Sequence, residues 1–316
     1  MMKYGMSSSI KADLMLVGVT LLAAVSWIMS REAVLLMPPL LFMALRFLLA
    51  ATLLAIVGRK PLAQLDARAL WRSMVVGLVF AAGMSCWVMG IFTGKHVGEG
   101  AFLTSLGVVL VPVLGYLFFN EAQTRSTWSA LVVASVGLAL LSLQHGFTVE
   151  LGQLFYVSAA FIFALFFRLN TQAANPSVRI DKQGVTHTDK AVPAIALTSV
   201  VLAMVGLCCA ILSLMFEAWQ PTFSHFSMPM LGWIVASAVV GTAMRFLLQT
   251  YAQSLSTNTH GVVILVIEPV WVALLAAAWF GERMNMQQLV GCVLIFAALL
   301  ISRLNVLRAW FKTVTS

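Results

Sequence analysis

Residues 97–121 read VGEGAFLTSLGVVLVPVLGYLFFNE, and residues 258–282 read NTHGVVILVIEPVWVALLAAAWFGE. Each is an apolar run long enough to cross a hydrocarbon core as a helix, which takes about 20 residues. Laid over one another at a shift of 161, Gly100 meets Gly261, Val109 meets Val270, Val111 meets Val272, Leu114 meets Leu275, Phe119 meets Phe280 and Glu121 meets Glu282. Aliphatic matches between membrane helices are common. The glycine pair and the Phe-x-Glu pair carry the information, and they indicate an internal repeat.

Working outward, the same alternation of apolar run and short polar break fills the chain. It predicts ten spans, at 12–31, 38–58, 69–93, 97–119, 126–143, 150–170, 191–216, 229–254, 258–280 and 286–306. Composition agrees: of 316 residues, 61% are apolar and 9% charged, with a mean hydropathy of +0.97. Soluble domains carry about 25% charged residues, so a soluble enzyme, a nucleic-acid binder and a disordered chain are excluded. Leu14–Ser30, after Lys3 and Lys11, has the look of a signal peptide. A second span follows after a very short turn with no clear cleavage site before it, so it reads as the first span.

The repeat extends beyond the quoted pair. Span 2 maps onto span 7 at an offset of 154, matching Pro39 to Pro193, and span 1 onto span 6 at 137, matching Arg31 to Arg168. The change of offset places an insertion in the polar 171–190 segment, read as a loop. Residues 1–146 and 147–316 then form two five-span halves. Five is odd, so the second half enters the membrane from the opposite side, the inverted architecture of many secondary transporters.

Charge sets the orientation. With the N-terminus inside, fourteen of the nineteen Lys and Arg residues fall on the inner side; only Arg31, Lys95 and Arg283 fall outside, while Arg46 and Arg245 lie within spans. Lys and Arg bias decides topology and acids contribute little, so both termini are expected on the cytoplasmic side. The net charge of +8 therefore reports topology before it reports an anionic partner. Cys86, Cys208, Cys209 and Cys292 lie in apolar runs without metal or redox spacing and read as small buried hydrophobes.

Charges near mid-span are expensive, about 2.5–3.5 kcal/mol each on insertion scales, and need a partner or a wet cavity. Arg46, Arg245 and Glu268 are the three, and their sum of +1 suits a carboxylate-bearing or otherwise anionic solute. The alternative is that Glu268 merely neutralises one arginine. Pro269 beside Glu268 frees a carbonyl and can bend the helix, as Pro112 can in span 4. Trp27, Trp87, Phe163 and Tyr251 fall at interior depth and are candidates to line a cavity. Gln249, Thr250 and Gln253 make a polar face that is costly in lipid and is expected to meet helices or water. His96 and Glu99 read as a solvated outer link. Gly77 to Ala81, the surroundings of Gly137, and Ala273 to Ala277 are small-residue packing faces.

These stretches also carry a family likeness. Pro38-Pro39 through Arg46, Ser105 through Pro112 and Glu121 in the first half, with Gln249 to Gln253, Glu268-Pro269, Gly281-Glu282 and Gly291 in the second, resemble the EamA family of the drug/metabolite transporter superfamily. The order and spacing cover nearly the whole chain. It departs at Trp27-Ile28, where the family often has Trp-Gly, and in a longer link between spans 6 and 7. The resemblance implies an all-α, ten-helix permease of a bacterial inner membrane that moves small metabolites, amino acids and related compounds among them, most often outward by alternating access. It favours Arg46 and Glu268 as substrate positions. The carboxylate of Glu268 beside the freed carbonyl makes a spot for substrate or proton, and a solute or structural role is favoured over coupling because span 4 offers no matching acid.

Two other classes fit the sequence less well. A membrane enzyme wants clustered acids, histidines or cysteines, whereas the five histidines are scattered at 96, 145, 187, 225 and 260. A channel wants a polar pore stripe, and none is visible. No nucleotide-binding loop, cofactor motif or metal spacing occurs, so the expected partners are a small-molecule substrate and the bilayer, with no cofactor.

Overall fold

The computed structural model describes residues 8–119, 125–142, 150–180, 186–255 and 267–302. A chain this apolar must satisfy its backbone within each segment, and helices do so. The main helices are α1 (Ser8–Val34), α2 (Pro39–Val57), α3 (Ala67–Thr93), α4 (Val97–Phe119), α5 (Arg125–Ser142), α6 (Leu151–Ala174) and α7 (Ala194–Phe216). One continuous helix, α8, follows as three stretches, Met228–Ala236, Ser237–Met244 and Arg245–Leu255, and then come α9 (Glu268–Phe280) and α10 (Met286–Ser302). Among the described residues, seven helices (α1 to α4 and α6 to α8) are long and apolar enough to cross a membrane. Shorter apolar helices run over Trp128–Gly137, Glu268–Phe280 and Leu289–Ile301. Glu121, Gly261 and the basic residues Lys3, Arg303, Arg308 and Lys312 lie outside the described residues.

Two features depart from the expected pattern. The 171–190 segment is not simply a loop: α6 runs on to Ala174, and Ser177–Ile180 pairs antiparallel with Thr186–Asp189 as strands β1 and β2. Val178, Ile180, Thr186 and Thr188 supply the β-branched residues that suit such a pairing. Span 8 is not uniform either. Its middle stretch, Ser237–Met244, is a π-helix, with i→i+5 hydrogen bonds.

Four helix starts, those of α2, α3, α4 and α6, are capped by side chains, because the first N–H groups of a helix have no partner within it. Asp66 accepts from Ala69 N at 2.7 Å to start α3, and Glu150 and Gln153 form a reciprocal capping box at α6. Two carboxylates do this from a distance. Glu217, just past α7, accepts from Leu40 N (2.8 Å) and Leu41 N (2.9 Å) at the head of α2. Glu282, just past α9, accepts from Val97 N (2.8 Å) and Gly98 N (3.1 Å) at the head of α4. A negative charge there also meets the positive end of the helix dipole. Gly281, at φ 65°, takes the left-handed turn that ends α9 and delivers Glu282.

Packing is closest between α2 and α7, α5 and α10, and α3 and α6. Small residues permit it. A Cβ on Gly206 would lie 2.7 Å from Leu48 Cγ, and one on Gly137 would lie 2.9 Å from the Gly291 carbonyl oxygen. Phe42, Met43, Phe47, Leu103, Leu202 and Ile295 are fully buried between helices, while Ile56, Val57, Leu78, Leu214 and Phe216 face outward. Outward apolar faces of this extent suit lipid, where no polar covering is required.

Candidate functional site

A cavity of about 140 Å³ opens between α1, α3, α4, α6, α8 and α9. Helical periodicity explains its wall. Phe80, Met84 and Trp87 stand at i, i+4 and i+7 of α3, and Phe163, Phe166 and Phe167 at i, i+3 and i+4 of α6, so each set shares a face. α4 adds Ala101, Thr104, Ser105, Gly107 and Val111; α8 adds Arg245, Phe246 and Gln249; Trp27 and Glu268 complete it. The aromatic rings fall into two clusters. Phe80 stacks on Phe166 with centroids 4.0 Å apart and meets Phe246 edge-on at 5.0 Å, and Trp27 meets Trp87 edge-on at 4.9 Å.

One polar spot interrupts the aromatic wall. Glu268 opens the described part of α9, with Pro269 behind it, and its carboxylate accepts from Trp27 Nε1 at 3.2 Å. Its other oxygen lies 3.5 Å from Arg245 Nη2, at the outer limit of a direct contact. The Arg245 guanidinium lies over the Phe246 ring at 4.7 Å, and its buried Nε has no hydrogen-bond partner among the described residues. An ionic pair this loosely closed, with a donor unused, has capacity left for a third group. Thr104 and Ser105 donate to the carbonyls of Gly100 and Ala101 in their own helix, which leaves their oxygens free to accept.

Of the residues singled out in the sequence, Trp27, Trp87, Phe163, Arg245, Gln249 and Glu268 come together on this wall. Arg46 does not line it. Its side chain is fully buried behind α8, donating through Nε to Thr242 Oγ1, through Nη1 to Ser30 Oγ (2.6 Å), and through Nη2 to Ser26 Oγ (2.5 Å) and the Gly241 carbonyl (3.1 Å). Tyr251 is 45% exposed on another face of α8. Thr250 is buried and accepts from Asn170 Nδ2 at 3.5 Å; the Gln253 side chain lies outside the described ones. The outer-link reading of Glu99 is corrected: it sits in the first turn of α4, 8% exposed, and accepts from Gln153 Nε2 at 2.7 Å.

Sequence reasoning missed Phe80, Phe166, Phe167 and Phe246, although the 3.6-residue spacing of the aromatics on α3 and α6 was there to find them. It also missed Tyr156, which packs against Trp27 of the cavity wall. The ring is fully interior, 5.8 Å from Trp27 by centroids, and occupies a notch of glycines. A Cβ on Gly90 would lie 2.7 Å from it and one on Gly100 only 2.3 Å.

Two stretches of the chain, residues 10–143 and 185–304, match the model of the EamA-like transporter family, which together is most of its length. The chain belongs to the EamA-like transporter family. It is 23% identical over 234 residues to an uncharacterized transporter of Archaeoglobus fulgidus, covering 73% of this chain and 68% of that one. A crystal structure of another protein superposes with a TM-score of 0.62 at 16% identity, over 93% of this chain and 98% of that chain. At that identity the likeness speaks for the fold alone. With its apolar helices, this EamA-like chain is a multi-pass membrane protein and a transporter by family.

Proposed function

We propose that this EamA-like transporter is a secondary exporter of small zwitterionic metabolites with an apolar or aromatic body, working by alternating access. The observation that carries the reading is the loose Arg245–Glu268 pair on an aromatic wall. A substrate carboxylate fits the Arg245 guanidinium, whose contact with Glu268 is loose, and a substrate ammonium fits Glu268. Because Arg46 stands behind α8, the two charges on the wall cancel, so a zwitterion suits it better than a net anion. The aromatic faces of Phe80, Trp87 and Phe166 would hold the rest of the solute.

Ten spans in two inverted halves, 1–146 and 147–316, are part of the same reading. The helix neighbours support it, because they come in pairs that the repeat exchanges. α3 packs on α6 as α8 packs on α1, α4 on α6 as α9 on α1, and α3 on α7 as α8 on α2. The α2–α7, α4–α9 and α5–α10 contacts map onto themselves. The cavity then sits where the two halves meet, the usual place for an alternating-access site. The excess of inner-side Lys and Arg supports cytoplasmic termini in a bacterial inner membrane.

The test is counterflow into proteoliposomes with three matched probes: phenylalanine, phenylethylamine and 3-phenylpropionate. The zwitterion should exchange, and the two singly charged analogues should exchange far less. Equal exchange of either analogue would overturn the zwitterion reading, and no exchange of any solute in a broad metabolite panel would overturn the transport site itself.

A further inference from the structure

We propose that Arg46 is a positioning residue: it holds the π stretch of α8 open, and so decides which face of α8 meets the cavity. The role rests on the cavity being the substrate site, since it concerns how Arg245 and Gln249 reach it.

A regular α-helix turns about 100° per residue, and a π turn absorbs one extra residue, so everything beyond it is rotated by about that angle. Arg245 follows the π stretch directly, and Gln249 lies one turn further on the same face. Both line the cavity. If α8 closed up into a regular helix, each place would fall to the preceding residue, Met244 and Leu248. The wall would exchange a guanidinium and an amide for two apolar side chains.

Arg46 grips the stretch at Gly241 and Thr242. Thr242 Oγ1 donates to the Ser237 carbonyl five residues back, at 2.9 Å, and accepts from Arg46 Nε. Nη2 adds the Gly241 carbonyl, and Nη1 and Nη2 tie the guanidinium to Ser30 and Ser26 of α1. A Cβ at Gly241 would lie 2.9 Å from Ser26 Oγ, so the close approach of α1 to the π stretch needs glycine there. All four acceptors are uncharged. A buried cation satisfied by hydroxyls and a carbonyl alone is costly, and the planar fork of arginine is the side chain able to reach from α2 to both α1 and α8 at once.

The experiment places cysteine at Leu248 or at Gln249 in the full chain, in four backgrounds: wild type, Thr242→Val, Thr242→Ser and Arg46→Lys. Purified protein in dodecyl maltoside is treated with a cationic methanethiosulfonate reagent, and label is counted above that taken by the four native cysteines. In the wild type and Thr242→Ser, which keeps the hydroxyl, position 249 should label faster than 248. In Thr242→Val and Arg46→Lys the order should reverse. An unchanged order in monodisperse Thr242→Val protein, or a wild-type preference for 248, overturns the proposal; if Arg46→Lys does not fold, the Val and Ser pair decides. The label needs no substrate, so failure of the counterflow test would remove the substrate reading and leave this result standing.

Discussion

Glu268→Gln keeps the shape of the side chain and an acceptor for Trp27, and removes only the charge that faces Arg245. Two unit charges 3.5 Å apart interact by about 5 kcal/mol at an effective dielectric of 20, an upper bound. Both side chains keep some exposure, 15% for Arg245 and 19% for Glu268, so water screens part of this. Hydrogen bonds between membrane helices couple by about 0.6 kcal/mol on average. A partly wet ion pair should lie between these limits, and we expect a coupling of about 1–3 kcal/mol. The assay is a double-mutant cycle with Arg245→Gln, read from reversible unfolding in mixed SDS and dodecyl maltoside micelles. Each single variant leaves one charge unpaired, so the double variant should lose less than the two singles together. Strict additivity would refute the pair as an energetic unit and leave the two charges free to serve other partners.

The remaining predictions use other measurements. Glu282→Ala should cost about 1–2 kcal/mol, because two N–H groups at the head of α4 lose a charged acceptor; the unfolding midpoint measures it. Gly100→Ala should lower folded yield sharply and Tyr156→Phe should not, since the notch fits the ring and none of its closest glycine contacts requires the hydroxyl; size-exclusion profiles of the solubilised variants decide it. Cysteines at Ser8 and Gly184 should resist impermeant thiol reagents in intact cells, and outside labelling of either would reverse the orientation. With Glu268 holding the substrate ammonium, Glu268→Gln should lose exchange of the zwitterion with and without a pH gradient; exchange that is retained while only its acceleration by the gradient is lost would make Glu268 a proton-coupling site instead.

What could be read before any coordinates depended on whether the signal was local. Helix length and apolarity are properties of single segments, so the spans over α1 to α4, α6 and α7 came out close to the observed helices. Arg245 and Glu268 were found because a charge at mid-depth is expensive enough to need a reason, Gln249 because a polar helix face is costly in lipid, and Trp27, Trp87 and Phe163 as aromatics near mid-span. Arg46 had that same mark of expense, yet its cost is met by Ser26, Ser30, Gly241 and Thr242, which are 16 to 196 residues away and neutral. No rule of composition links them. The π stretch was hidden for a related reason: Ser237–Met244 holds small and β-branched residues that occur in regular membrane helices as well, and its widening is held from outside. Phe80, Phe166 and Phe246 were passed over because phenylalanine is cheap in lipid and carries no mark of depth.

The two distant carboxylates have a bearing on how the protein is made. The head of α2 is completed by Glu217 and the head of α4 by Glu282, residues that leave the ribosome long after those helices have entered the membrane. Until then the N–H groups at both heads must be served by water or lipid head groups. A truncated product ending before α7 would expose both unfinished ends to quality-control proteases, whereas supplying residues 147–316 as a separate polypeptide should rescue them. The order of synthesis thus makes the second half an assembly factor for the first.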